Sequence, residues 1–211
     1  MKSISDDFEI YKYKISNWQE KKYKLIELFH KTKPTIYGNV LTNFKDTSEN
    51  RELMLKEVNE LFNNEINEFL ELLNLNFILE SAWIQEYKKD MSHGLHNHGS
   101  GYSSVIFINF NKNLHSSTIF VDEEKNLSYT PEVEEGDMIF FNSNHFHYCP
   151  HNESNSERMI CSFNLKDAKE MEITLNDARK LVEQMEIALN AAREHANEFE
   201  NYFKTKKFRY N

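Results

Sequence analysis

The spacing of hydrophobic residues changes character twice along this chain. Residues 8–15, FEIYKYKI, alternate bulky and polar positions, and that period of two predicts an entry strand. The next run, WQEKKYKLIELFHK, follows Ser16 and Asn17, with Gln19 and Glu20 three residues on from each. This is the signature of a helix start, and Pro34 marks the helix's end. A longer helix is predicted from Ser48, where Leu53, Val58, Leu61, Phe62, Ile66, Phe69 and Leu73 recur at helical spacing as a core-facing stripe.

From Asn76 the period shortens. NFILESAWIQEYKK, GYSSVIFINFN, SSTIFVD, EVEEGDMIFFN and SERMICSFNL are short runs rich in aromatic and β-branched residues, separated by turn-prone Asn, Gly, Asp and Ser. Successive short strands of this kind predict an antiparallel sandwich or barrel rather than a βαβ fold. Gly136-Asp137 forms a turn into the apolar strand MIFF. After Leu165 the helical period returns. Thr174 with Asp177 resembles a capping box, and Ala178, Leu181, Met185, Leu189 and Ala192 form an apolar stripe. That stripe is expected to pack on the sheet, with a homodimer contact through the C-terminal helix as the alternative. The expected layout is a single domain, 1–211, of the α+β class with a mainly β core. Residues 1–75 give helical N-terminal support, 76–165 the β core and 166–211 a C-terminal helical extension.

Composition narrows the function classes. A chain of 211 residues can bury a sizeable core, and a net charge of −9 argues against non-specific nucleic-acid binding, which needs a basic footprint. The basic run KTKKFRYN, 204–211, reads as a solvated terminus. No run of about 18 apolar residues is present, so no membrane span is expected. The N-terminal residues show no apolar signal segment, and Cys149 and Cys161 fall in no CxxC pattern. A reducing, cytoplasmic setting is therefore expected.

The histidines carry the candidate chemistry. Seven of the nine lie between His93 and His151. If His96 and His98 occupy a strand, alternation turns both rings to one face, where they can share a metal. Alone, such a pair also fits an exposed glycine-rich loop. His145 and His147 follow the MIFF strand. Two ligands close together and a third about 50 residues later match a facial triad, which leaves coordination positions open for substrate and dioxygen. His93 lies outside the alternation and reads as a loop or pocket-rim residue.

On the strand SERMICSFNL, Arg158, Ile160, Ser162 and Asn164 share one face, and Met159, Cys161, Phe163 and Leu165 the other. The second face suits burial under helices. The first turns an arginine inward, a placement suited to bidentate capture of a carboxylate. Pairing with Glu157 or Glu153 at the strand end is the plainer alternative.

Taken in order, these residues resemble the 2-oxoglutarate- and Fe(II)-dependent oxygenases. The run WIQEYKKDMSHGLHNHGSGYSSVIFINF, then STIFVD, EVEEGDMIFFNSNHFHYCPHN and SERMICSFNL follows that family's order of Trp, HxH, small-residue-led strand, Gly turn, distal His before Pro, and Arg. The resemblance covers roughly residues 76–165. It implies a double-stranded β-helix, or jelly roll, flanked by helices. It also implies Fe(II) held by His96, His98 and His147, with 2-oxoglutarate as co-substrate. Arg158, eleven residues beyond His147, is implied to bind the distal carboxylate of 2-oxoglutarate. Ser162, Asn164 and Tyr102 are further candidates to contact it, and Gln85, Tyr87 and Asn109 to line the pocket. The activity implied is oxidative decarboxylation of 2-oxoglutarate to succinate and CO2, coupled to hydroxylation of a small-molecule or peptide substrate.

Three positions depart from the family pattern. His98 stands where most relatives carry a carboxylate, Asn142 where a Pro is usual, and Ile160 where a Ser follows the Arg by two. Two other readings share the histidines. A three-histidine cupin would use the same architecture without 2-oxoglutarate, but that pattern calls for a Glu soon after HxH, and no acid occurs before Asp122. A non-enzymatic metal-binding jelly roll is the other.

Overall fold

The computed structural model describes residues 1–44 and 47–207, and within the last helix the side chains of 199 and 203–207 are outside the description. The basic run 204–211 therefore lies outside the described side chains. In chain order the elements are β1 (Lys2–Ser5), β2 (Ile10–Lys14), α1 (Trp18–Lys31), β3 (Thr35–Tyr37), β4 (Val40–Thr42), α2 (Ser48–Leu72), β5 (Phe77–Tyr87), β6 (His93–His96), β7 (Tyr102–Asn109), β8 (Ile119–Asp122), β9 (Leu127–Tyr129), β10 (Asp137–Asn142), β11 (Phe146–Cys149), β12 (Arg158–Asp167) and α3 (Ala168–Lys207).

Residues up to Asp167 form one compact unit, and the chain from Ala168 forms a second. In the first unit an eight-stranded sheet runs β1-β2-β10-β7-β12-β5-β4-β3, and a four-stranded sheet runs β6-β11-β8-β9. All the pairings are antiparallel. The N-terminal 75 residues are not only helical support. They add β1 and β2 to one edge of the large sheet and β3 and β4 to the other.

The two faces of the large sheet carry different layers, as the alternation on β12 predicts. Met159, Cys161, Phe163 and Leu165 face a layer built with Leu25, Leu28 and Phe29 of α1 and Val58, Phe62, Ile66 and Phe69 of α2. The rings of Phe69 and Phe140 stack there with centroids 4.2 Å apart. The other face of the sheet, with Tyr87, Val105, Phe107, Ile139 and Ile160, packs against Phe120 and Cys149 of the small sheet. Burying both faces accounts for the continuous apolar runs Val105–Ile108 in β7 and Met138–Phe141 in β10.

Local details depart from the sequence expectation at the helix starts. Asn17 takes a left-handed conformation before α1 and makes no side-chain cap. Before α2 the cap is Thr47, which accepts a hydrogen bond from the Asn50 N–H. Gly136 has the positive φ (79°) expected of its turn, and a Cβ there would sit 2.7 Å from the Trp18 ring.

In the second unit, α3 starts directly after β12. Thr174 is inside this helix rather than at its cap, and its hydroxyl donates to the Glu170 carbonyl. The stripe positions Leu181, Met185 and Leu189 are exposed. No helix among the described residues is long and apolar enough to cross a membrane. Both cysteines are free and buried.

Candidate metal centre

Strand pairing builds half of the histidine cluster. β6 and β11 are neighbours in the small sheet, and His147 is the register partner of His96. The register then slips, so that Cys149 lies opposite His93. Such a bulge re-aims a side chain. His93 is brought to the side of His96, with the two rings stacked 4.2 Å apart at 17°. His93 is thus a strand residue stacked on His96, and not a loop residue. The bulge is what period-two reasoning misses.

His98 reaches the cluster by another route. It lies beyond the end of β6, so strand alternation does not place it. Its backbone N–H donates to the Ser143 carbonyl at 2.9 Å, and the Ser143 N–H donates to Gly101 O at 2.9 Å. Gly101 closes this loop with φ of 98°, and a Cβ there would sit 2.2 Å from the Leu165 carbonyl oxygen. Only glycine allows that approach.

The result is a three-imidazole set. The ring centroids of His96 and His147 are 4.4 Å apart, those of His96 and His98 5.0 Å, and those of His98 and His147 5.2 Å. One nitrogen from each ring lies within 4.8 Å of the others. His96 Nδ1 is 2.7 Å from Gly94 O, and His147 Nδ1 is 2.9 Å from His145 O. A carbonyl only accepts, so each Nδ1 carries the proton and each Nε2 keeps its lone pair for a ligand. This outer hydrogen bonding is how metal-binding histidines are oriented. Burial, reinforced by the neighbouring imidazoles, holds His98 down to about 4 and His147 to about 3. Burial also lowers His96, against the pull of its bond to Gly94. The rings are neutral near pH 7 and ready to coordinate. Their chemistry fits a divalent transition metal held on one side.

A narrow cleft, with room for about one water molecule, opens beside the histidines, between the two sheets. Trp83, Gln85 and Tyr87 of β5 and Ile160, Ser162 and Asn164 of β12 line it. Gln85 Nε2 donates to His93 Nδ1 at 3.0 Å. Asn164 is tied by hydrogen bonds to Ser81 and Ser103, and Ser103 to Ser143. The rigid Asn164 amide thereby connects the inner face of the large sheet to the loop that holds His98.

Arg158 is inward-facing and 1% exposed, but it is not among the residues that line the cleft. Its guanidinium stacks on the Tyr87 ring, 4.2 Å from the centroid, and donates to Ser116 O at 2.6 Å and Pro150 O at 3.2 Å. Glu157 and Glu153 are not its partners. The Nε–H has no partner, and neither does the Tyr87 hydroxyl, which lies against the Cys149 thiol. Burial holds the Tyr87 phenol well above its ordinary value, so it stays an O–H donor. The Tyr87 hydroxyl, an unpartnered donor in the lining of a cleft that also carries three neutral imidazoles, fits an anionic ligand such as a carboxylate.

The remaining candidates divide. Ser162 and Asn164 line the cleft as their face predicts. Tyr102 does not: it is on the helix side of β7, edge-on to Phe69 at 5.1 Å and close to Phe77. Asn109 donates to Glu157 O at the far end of β7 and is absent from the lining. His93 lines the cleft, in keeping with its reading as a pocket-rim residue, and Trp83 lines it without having been assigned to the pocket. For Trp83 the signal was there, since ESAWIQEY places Trp83, Gln85 and Tyr87 on one strand face.

No protein-family model matches the sequence, and no curated protein does. The fold, however, is similar to solved structures of non-haem oxygenases. HygX from Streptomyces hygroscopicus, with nickel and 2-oxoglutarate bound, aligns with a TM-score of 0.62 at 11% identity over 77% of this chain and 84% of that one. SnoK, an α-ketoglutarate-dependent carbocyclase of nogalamycin biosynthesis, gives 0.58 at 14% identity over 78% and 85%. A viral collagen prolyl hydroxylase from Paramecium bursaria Chlorella virus-1, in its 2-oxoglutarate complex, gives 0.53 at 14% over 75% and 96%.

Proposed function

We propose that this chain is an Fe(II)- and 2-oxoglutarate-dependent oxygenase whose two sheets are the halves of a double-stranded β-helix. It hydroxylates a small-molecule or peptide substrate. The observation that carries the reading is the convergence of His96, His98 and His147, two of them with Nδ1 tied to a backbone carbonyl and Nε2 left for a metal. Iron held there would supply the oxidative decarboxylation of 2-oxoglutarate to succinate and CO2 and the coupled substrate oxidation.

The chain's own residues hold, orient and exclude water. His96, His98 and His147 are the residues that would hold Fe(II). Three neutral imidazoles bring no negative charge, so the charge of the ion is offset by a dianionic co-substrate. β11 carries His147 and Cys149 on the same side of the strand, two residues or about 7 Å apart. Cys149 marks the end where Tyr87 and Arg158 sit. The proposed diacid has one end at the histidines and the other at Tyr87, which lines the same cleft. Tyr87 donates its phenolic O–H to the distal carboxylate, and Arg158 stands behind it with one unpaired N–H and a full positive charge. Ser162 lines the wall between, Trp83 and Ile160 keep it dry, and the Asn164 network holds the His98 loop in place.

Titration calorimetry under anaerobic conditions, with Ni(II) as an inert probe and then 2-oxoglutarate, tests the reading. The expected result is 2-oxoglutarate binding only to metal-loaded protein, and neither event in His147→Ala. Succinate release under Fe(II) and dioxygen is the matching activity measurement. Stoichiometric metal binding with no response to 2-oxoglutarate sinks the co-substrate assignment and returns the site to a cupin-like or purely metal-binding role.

A further inference from the structure

The 40-residue helix α3 carries a pattern unrelated to the metal centre. Leu175, Val182 and Leu189 recur every seven residues, and Ala178, Met185 and Ala192 recur three residues after each. This alternation of three and four is the heptad spacing of a left-handed coiled coil, with the first set at a and the second at d. A helix on a globular surface buries such a seam. Here Leu175, Val182, Met185 and Leu189 are 52, 54, 64 and 52% exposed. A continuous apolar seam of this length on a soluble chain marks an interaction surface.

The flanking charges identify what covers it. The e positions read Glu172, Arg179, Glu186 and Arg193, alternating in sign at each heptad. Among the described residues none of these four has an ion-pair partner in its own chain. The g positions are Thr174, Leu181, Ala188 and His195, with no carboxylate or guanidinium. In a parallel pair of helices e lies against g, and the four charges meet nothing complementary. In an antiparallel pair e lies against e. Glu172 then meets Arg193 of the partner subunit, and Arg179 meets the partner subunit's Glu186. The same pairs recur on the other half of the two-fold axis, so the surface is complementary to itself.

We propose that α3 is an antiparallel dimerisation helix whose partner is a second copy of this chain. Two α3 helices bury the a and d seam against each other, and alternating e charges choose both the orientation and the register.

Sedimentation equilibrium of the full chain, with two charge variants, tests this. The wild type is expected to be a dimer of 25.2 kDa chains. The double variant Arg179→Glu, Arg193→Glu makes every e position acidic, and Glu172→Arg, Glu186→Arg makes every one basic. Each alone is expected to weaken the dimer by more than about tenfold, because four attractive pairs become repulsive. Mixing the two restores a dimer containing one of each. Far-UV circular dichroism confirms that both keep their helix. A monomeric wild type at about 100 µM overturns the proposal. So do charge variants that dimerise like the wild type, the result expected of a parallel pair, or a mixture that stays monomeric.

Discussion

His96 and His147 face each other as register partners on adjacent antiparallel strands, with ring centroids 4.4 Å apart. The sheet's own hydrogen bonding thus sets the first edge of the candidate metal site, and His98 closes it from a loop. His147→Ala is expected to lower Ni(II) affinity by more than about 100-fold, since even outer-shell changes at metal sites cost about 10–100-fold. His98→Asp is expected to keep binding, because a carboxylate completes a 2-His-1-carboxylate set at the same place. Calorimetry on both variants checks this, and an unchanged affinity in His147→Ala removes it from the ligand set.

Gly101 supports that loop. Its φ of 98° and the 2.2 Å approach of a built Cβ to Leu165 O leave no room for a side chain. Gly101→Ala is expected to destabilise the protein by more than about 2 kcal/mol, through backbone strain and displacement of a central strand. The Ser143 amide bonds to Gly101 O and the Ser143 carbonyl receives the His98 N–H. Metal affinity should therefore fall together with the urea midpoint. A variant with wild-type stability and metal affinity contradicts the role given to this loop.

What could be read from the sequence depended on whether opposite faces of an element differ in chemistry. β12 was legible because one face is Arg158, Ile160, Ser162 and Asn164 and the other Met159, Cys161, Phe163 and Leu165. The histidines were legible because they are few and grouped. The position of His93 was not, because a bulge breaks the alternation and no residue type announces it. The β3–β4 hairpin was overlooked although Gly38-Asn39 between TIY and VLT is a two-residue turn signal. The setting of Arg158 was out of reach. Its two carbonyl acceptors belong to Ser116 and Pro150, far apart in sequence, and only the folded chain brings them to one guanidinium.

His115 gives a pH dependence away from the histidine cluster. Its Nδ1 accepts from the Asn111 N–H at 3.1 Å, and its Nε2 donates to Ser156 O at 3.1 Å. Burial, with the Arg158 charge nearby, lowers its folded pKa below 6.5 despite the bond to Ser156. Below pH 6.5 the unfolded chain takes up a proton here that the folded chain refuses. Stability is therefore lost as pH falls from 6.5 toward the folded value. Urea midpoints at pH 7.5 and 5.5 are expected to differ less in His115→Gln than in the wild type. An identical difference in both would remove His115 as a contributor.

Arg158 and Tyr87 are separable by mutation because one holds the structure and the other faces the cleft. Arg158 is 1% exposed and donates to two backbone carbonyls, those of Ser116 and Pro150. Arg158→Met removes two charge-assisted bonds, each worth about 1.5–3 kcal/mol, and is expected to destabilise the protein by about 3–5 kcal/mol. Any loss of 2-oxoglutarate binding in that variant is then mixed with unfolding. Tyr87→Phe keeps the ring that the guanidinium stacks on and removes only a hydroxyl with no partner in the free protein. Its stability should change little. Its affinity for 2-oxoglutarate in the Ni(II)-loaded state should fall by about tenfold or more, the value of one hydrogen bond to a carboxylate. Metal affinity should be untouched. If Tyr87→Phe binds 2-oxoglutarate as the wild type does while Arg158→Lys, a gentler change, weakens it, the arginine turns from its carbonyls to the ligand directly and Tyr87 serves only as its stacking platform.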